Sequence, residues 1–446
     1  MTPSCFTGHH NHHFMPDLRS NCRSDSWLAL RACLDYLQQG PWKFLLLRCG
    51  ELDDGVIDSE DLDLLGSRAS VSALLDAARG WVSAGYCHVR VKSTGSSKVG
   101  LHLISTDGKH RLDLDLWIDL WQIDNRKRYL TYRDCEAAVI NPNESLQRLP
   151  ACLEASIFIH HLVSKRKNIS SPKQLARLGT YATACRNAGQ EKLAVALEST
   201  AATTKVSKAT ADLTLTILDE HFTIAGLRPV KRLSHRLLGA VRGAWFLPLG
   251  KLRMLTIMGC DGCGKTTLSK LLGGRRDDIR GVYTGKHLYR KWIAYKLLVI
   301  FVRPILFQGR EKFDDTFAPI AYLLACLRLR LKLLVCSNGI LLIDRSIIDF
   351  LLVARKTDSP QFCSSRWLAT FFGVRLPHIH FIVPFERLRE RKLEMTQAGH
   401  GIYDTEMFRH FSRRTPTDYV FFDNRGSLEE SSEALVRIID WLKISC

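Results

Sequence analysis

The sequence predicts an α/β chain in two halves: an N-terminal α+β half with a helical extension, and a C-terminal half built on a parallel sheet flanked by helices. Three observations carry this. After residue 251, apolar runs of strand length alternate with helix-period segments, the order that gives a parallel sheet covered on both faces. In the first half, three strand-like segments follow one another directly and a long helical tract comes next. Between the halves lies "LRPVKRLSHRLLGAVRGAWFLPLGK", with two prolines, glycines and a run of basic residues, a composition seldom found in a packed core. The expected organisation is a tail over 1–24, a first domain over 25–227, a linker over 228–250 and a second domain over 251–446.

The first domain opens with an amphipathic helix, Trp27 to Gln39, and the apolar strand "WKFLLLRCG". The strand "SEDLDLLGS" follows, then a helix in "SVSALLDAARGWVSAG". "YCHVRVKS", "KVGLHLIST" and "HRLDLDLWIDLW" alternate apolar and polar residues as strands with one buried face do. That alternation puts Asp61 and Asp63 on one face of their strand, and Asp113 and Asp115 on one face of theirs. From Tyr132 to Leu227 the pattern is helical.

The second domain begins with the strand "RMLTIM" and then "GCDGCGKTT". The spacing Gly259-x-x-x-x-Gly264-Lys265-Thr266 is that of a phosphate-binding loop. Gly259, Gly262 and Gly264 let the backbone of Asp261, Cys263 and their neighbours curl so that N–H groups converge on phosphate oxygens. The helix opening at Lys265 aims its positive end at the same point. Lys265 is expected on the terminal phosphates, Thr266 on Mg²⁺ and Thr267 beside them, which makes this a nucleoside triphosphate site. "NGILLIDRSIIDF" brings a strand ending at Asp344, a carboxylate for Mg²⁺ or for an acceptor oxygen, with Arg345 beside it for a second anionic group. "HIHFIVPFERLRERKLE" adds a strand and a helix with Arg387, Arg389, Arg391 and Lys392, positive charge for a phosphoryl group in transfer. "YVFFDNRGSLEESSEALVRIIDWL" is a last strand and helix, with Ser427 and Glu430 as a capping box and Leu435, Ile438, Ile439 and Leu442 as the buried stripe.

Composition limits the partners. The net charge is +18, and from Lys251 onward 32 Lys and Arg stand against 20 Asp and Glu. That balance favours anionic partners, here a nucleotide or other phosphorylated small molecule; nucleic acid is not expected, while peripheral contact with an anionic membrane and a homodimer are compatible with it. The most apolar stretch, "WIAYKLLVIFV", is cut short by Lys296 and Arg303 and reads as a buried helix rather than a span. The start, "MTPSCFTGHHNHHFMPD", lacks the charged and apolar regions of a secretory signal, and fourteen cysteines show no doubled CxxC spacing, so reduced thiols and a cytoplasmic location are expected. His9, His10, His12 and His13 read as part of a tail.

On these motifs the second half, Lys251 to Lys443, resembles the thymidylate kinase family of nucleoside monophosphate kinases. "GCDGCGKTT" is similar to that family's Gly-x-Asp-Gly-x-Gly-Lys-Ser/Thr-Thr loop, "DRS" to its Asp-Arg motif, and the segments from Pro384 onward to its lid and last strand–helix unit. The resemblance implies ATP and Mg²⁺ as cofactors, Asp261 near the acceptor's sugar, Arg345 on its phosphate, and Arg391 in the lid. The family's Arg-Glu-Pro-Gly segment is missing; "VYTGKHLYRKW", with Lys286 and Arg290, stands in its place.

The first half resembles the nucleotidyltransferase superfamily through Asp61-Leu62-Asp63 and Asp113/Asp115, three carboxylates of the kind that hold two metals, though Cys49-Gly50 replaces that group's glycine turn. Metal-dependent transfer, nucleotide binding without transfer, and carboxylates merely paired with Arg48 and Arg111 all fit this pattern. For the whole chain, an ATP- and Mg²⁺-dependent phosphotransferase stands beside a nucleotide-gated regulatory protein. The acceptor-side set Asp344, Arg345 and Arg391 favours the enzyme, since a switch needs no acceptor clamp.

Overall fold

The structure is a computed structural model and describes residues 26–47, 61–93, 98–123, 128–165, 169, 171–222, 225–226, 254–283, 293–301, 304, 339–344, 352–353, 361–362, 377–391, 396–413 and 418–444. The expected tail and linker lie outside these residues, as do Arg345, Lys286 and Arg290.

In the first half, helix α1 (Ser26–Gln39) leads to β1 (Phe44–Leu47), β2 (Asp61–Gly66), α2 (Arg68–Ala84), β3 (His88–Ser93), β4 (Lys98–Ile104) and β5 (Arg111–Ile118). The period-2 pattern is realised: along β5, Leu112, Leu114 and Leu116 are buried while Asp113, Asp115 and Trp117 on the other face are partly exposed. Helix α2 starts where Ser67 accepts the N–H of Ser70, and it buries Val71, Leu74, Leu75, Ala78, Trp81 and Val82 against the sheet. Strands β6 (Leu120–Ile123), β7 (Arg128–Thr131) and β9 (Ala225–Gly226) form a small separate sheet. Short β8 (Leu146–Gln147) precedes the helical extension, α4 (Ala151–Lys165), α5 (Pro172–Asn187), α6 (Glu191–Thr203) and α7 (Lys208–His221), after the single turn α3 (Tyr132–Glu136). The extension has its own core around Phe158, Leu178, Tyr181 and Leu197.

The second half runs β10 (Met254–Gly259), α8 (Lys265–Arg275), β11 (Ile279–Tyr283), α9 (Ile293–Phe301), β12 (Ile340–Asp344), β15 (His378–Ile382), α10 (Phe385–Arg391), α11 (Gln397–Arg413), β16 (Asp418–Asp423) and α12 (Leu428–Ile444), with a two-stranded ribbon of β13 (Leu352–Val353) and β14 (Gln361–Phe362). Its five main strands are mutually parallel, ordered β11-β12-β10-β15-β16. The capping box forms as read: Ser427 N–H donates to Glu430 at 2.9 Å and Glu430 N–H to the Ser427 hydroxyl at 3.2 Å. One expectation fails in α9, where Leu297, Ile300 and Phe301 are 49%, 61% and 65% exposed rather than buried. Among the described residues, no helix is long and apolar enough to cross a membrane.

The two halves share one sheet. Strand β16 pairs antiparallel with β3, giving eleven strands in the order β11-β12-β10-β15-β16-β3-β4-β5-β2-β1-β8. One apolar core crosses that seam, from Leu74, Val89 and Leu114 to Ile257, Phe421 and Ile439. Polar groups reinforce it. Arg90 grips Asp418 with two bonds of 2.7 and 2.5 Å, and Arg425 donates to the carbonyls of Val82, Ser83 and Ala84 at the end of α2, where helical donors run out. His88 stacks on Phe422, donates through Nε2 to the Thr106 carbonyl and accepts the Asp423 N–H at Nδ1.

Candidate active site

The loop read from the sequence as phosphate-binding leaves the C-terminal end of β10, the central strand of the parallel half, and enters α8. Its glycines are required. Gly259, Gly262 and Gly264 have φ of +137°, +93° and +92°, and a Cβ on Gly259 would lie 2.8 Å from the Phe381 carbonyl oxygen. Gly264 is the N-cap of α8 and carries no side-chain cap, so no capping side chain covers the positive end of the helix.

Lys265 is 7% exposed, and its Nζ donates to the carbonyls of Gly259 and Cys260, both at 2.8 Å. The ammonium is thus stored against the loop's own backbone at the place where terminal phosphates are expected. The loop is braced from the last strand–helix connection, since Asn424 Nδ2 donates to the Cys263 carbonyl at 2.7 Å in a buried setting.

Thr266 and Asp344 are 78 residues apart and meet: the threonine hydroxyl donates to Asp344 Oδ2 at 2.8 Å. The sheet register explains it. Asp344 ends β12 and pairs with Ile257 of β10, which sets its carboxylate beside the first turn of α8. Asp344 is 4% exposed, Asp261 is half-buried and Thr267 faces solvent. Arg391 is the last residue of α10, and its side chain is outside the described residues, as is all of Arg345. Arg387, one turn earlier, donates to the carbonyl of Arg425.

The carboxylates of the first half are brought together by register. Strands β2 and β5 are parallel, with Asp61 opposite Asp113 and Asp63 opposite Asp115. The side chain of Asp61 is outside the described residues. Asp63 is buried and accepts from Trp117 Nε1 at 3.3 Å. Asp115 meets Lys98 at 2.5 Å, and Asp113 meets His102 at 2.5 Å and Arg111 at 2.8 Å. Burial works to raise the Asp113 carboxyl, but His102 and Arg111 outweigh it and hold the group below the ordinary carboxylate range. Two of the acids therefore have cationic partners. Those partners come from β4 and from β5 itself; β4 opposes β5 with Lys98 across from Trp117 and His102 across from Asp113, and only the pairing of strands brings them together.

Sequence reading also missed Asn424, and a buried group of Cys260, His400 and Asp404 behind the loop. The available signal for that group was the i, i+4 pair His400/Asp404 on one helix.

No family model matches this chain, and no curated protein matches it. Among solved structures, the chain is similar to the thymidylate kinase of Candida albicans, over 43% of this chain and 92% of that one, at 15% identity with a TM-score of 0.31.

Proposed function

We propose that this chain is an ATP- and Mg²⁺-dependent phosphotransferase that moves the γ-phosphoryl group of ATP to a phosphorylated acceptor of the nucleoside monophosphate class. The observation that carries the reading is the 2.8 Å meeting of Thr266 and Asp344 at the mouth of a glycine-shaped loop whose lysine is buried beside it. A hydroxyl and a carboxylate are hard oxygen donors, and neighbouring oxygens around Mg²⁺ lie about 2.9 Å apart when each is 2.0–2.1 Å from the ion. The pair therefore fits Mg²⁺, which when bound neutralises charge on the β and γ phosphates.

The chain's own groups do the rest. Backbone N–H groups from Cys260 to Thr266 and the start of α8 hold the phosphate oxygens. Lys265 exchanges its two carbonyl partners for the β and γ phosphates and follows the charge that grows there during transfer. Arg345 anchors the acceptor's phosphate, Asp261 its sugar, and Arg391 closes over the group in flight. The carboxylates of the first half, with Lys98, His102 and Arg111 already on them, serve a structural or nucleotide-binding role in this reading and carry no second transfer.

The test is acceptor dependence. The full chain is incubated with ATP·Mg²⁺ and a panel of nucleoside monophosphates and sugar phosphates, and ADP and the phosphorylated acceptor are followed by mass spectrometry. One acceptor should gain a phosphoryl group with equal ADP. ADP formed at the same rate with and without every acceptor would instead mean a nucleotide-gated switch.

A further inference from the structure

Behind the phosphate loop, three chemically different donors converge. The Cys260 sulfur, a His400 ring nitrogen and an Asp404 carboxylate oxygen all lie within 4.8 Å of one another. Cys260 is 6% exposed, and the side chains of His400 and Asp404 are 12% and 11% exposed. The geometry points to a transition-metal site, with Zn²⁺ as its natural occupant, that ties α11 to the nucleotide-binding loop. This inference is independent of the phosphotransferase reading.

The donor set selects the ion. A thiolate with an imidazole and a carboxylate suits Zn²⁺, whereas Mg²⁺ and Ca²⁺ take oxygen ligands alone. His400 and Asp404 are one helical turn apart and so share a face of α11, the placement by which a helix supplies two ligands to one ion. His400 Nε2 stands 3.5 Å from Asp404 Oδ2, close to the roughly 3.3 Å edge of a tetrahedron with ligands at 2.0–2.1 Å. Asp404 is also oriented from behind, because His380, which is fully buried on β15, meets its other oxygen at 3.1 Å. Ligating carboxylates are held by outer hydrogen bonds of this kind.

Metal binding takes the Cys260 thiol to a thiolate, and a divalent cation then offsets the thiolate and the Asp404 carboxylate together. Three protein ligands leave a fourth position for water or another small ligand. The position of Cys260 gives the site a consequence, since its carbonyl accepts the Lys265 ammonium at 2.8 Å. Metal on its sulfur fixes the residue that holds the lysine, so the ion sets the resting shape of the loop. An alternative without metal is an aspartate shared between His380 and His400 by hydrogen bonds alone, and the experiment separates the two.

The full-length protein is stripped with chelator, then titrated with Co²⁺ and, separately, Zn²⁺. Cys5 and the histidines near it offer competing ligands, so a variant with His9, His10, His12 and His13 changed to alanine is run beside the wild type. The expected result is one equivalent of Co²⁺ with the intense visible bands of tetrahedral coordination and a thiolate-to-cobalt band, the same in the tail variant, and a zinc-dependent rise in melting temperature. C260S should lose the thiolate band while Cys263→Ser keeps it. H380Q should weaken binding roughly 10- to 100-fold, and His400→Gln or D404N by more. If C260S does not fold, the wild-type cobalt spectrum still decides: no thiolate band, octahedral cobalt, or a band that vanishes with the tail histidines overturns the site.

Discussion

Replacing Arg90 with methionine tests whether the two halves are one folding unit. The Arg90 side chain is 3% exposed and bonds both oxygens of Asp418, whose side chain is 15% exposed, across the seam between β3 and β16. Methionine keeps much of the buried stem and removes the charge, leaving a carboxylate in a largely dry place. Losing one partner of a buried ion pair costs about 3–5 kcal/mol, and the partial exposure of Asp418 puts this case near 3 kcal/mol. The assay is native-state hydrogen exchange by mass spectrometry, read on peptides from β3–β4 and from β10 and β15. In a shared sheet and core both sets should lose protection equally, by a factor of roughly 100 for 3 kcal/mol. Adding Asp418→Leu should recover most of the loss, because an apolar pair of similar volume is often as stable as a buried ion pair. Loss confined to β3–β4, with β10 and β15 unchanged, would refute the single unit.

Four other perturbations have expected outcomes. Lys265→Ala should cut phosphoryl transfer by about 10²–10³ with an unchanged circular dichroism spectrum, since it removes one positive group from the charge developing in the transition state; near-normal turnover would sink the role given to it. Gly259→Ala should lower the melting temperature and abolish nucleotide binding by calorimetry, because its φ of +137° and a Cβ 2.8 Å from the Phe381 oxygen leave no unstrained arrangement. Asn424→Ala takes a buried donor from the Cys263 carbonyl and should weaken ATP by about tenfold in a fluorescence titration, the equivalent of about 1.4 kcal/mol. Burial holds His88 down to about 4 from an ordinary 6.5, so the unfolded chain takes up its proton first. Stability should therefore fall as the pH drops from 6.5 through 4, by about 3 kcal/mol in urea titrations, and His88→Gln should flatten that slope.

The parts of the site that were legible in the sequence are those whose chemistry sits in one contiguous stretch. Gly259 to Thr267 reads as a loop because strand and helix periods bracket it, and Asp344 reads as its partner because a carboxylate ends an apolar strand. Local helix chemistry was equally legible, from the capping box at Ser427 and Glu430 to the apolar stripe of α12. Contacts that depend on strand pairing left no such trace. Lys98 and His102 look like solvent-face residues of β4 until antiparallel pairing sets them against β5 and its acids. Arg90 and His88 are the polar positions of an alternating strand and give no hint that Asp418 and Asp423 meet them from the far end of the chain. The apolar run of β16 reads as a buried strand, which it is, but its neighbour on one side lies 335 residues earlier, as the bond from Asp423 to His88 measures.

That separation governs what happens on the ribosome. Strand β3 is made early, its partner β4 follows directly, and β16, the partner of its other edge, comes only near the end of the chain. At ordinary synthesis rates of about 5–20 residues per second, the gap of 335 residues holds that edge open for roughly twenty seconds to a minute. An open, apolar strand edge is a template for pairing with other chains, and natural proteins blunt such edges with charge. Arg90 and Lys92 stand on this one, and in the finished fold Arg90 binds Asp418 while Lys92 is the register partner of the same aspartate. The two cations on that early edge are thus the residues that meet Asp418 of the last strand in the finished fold.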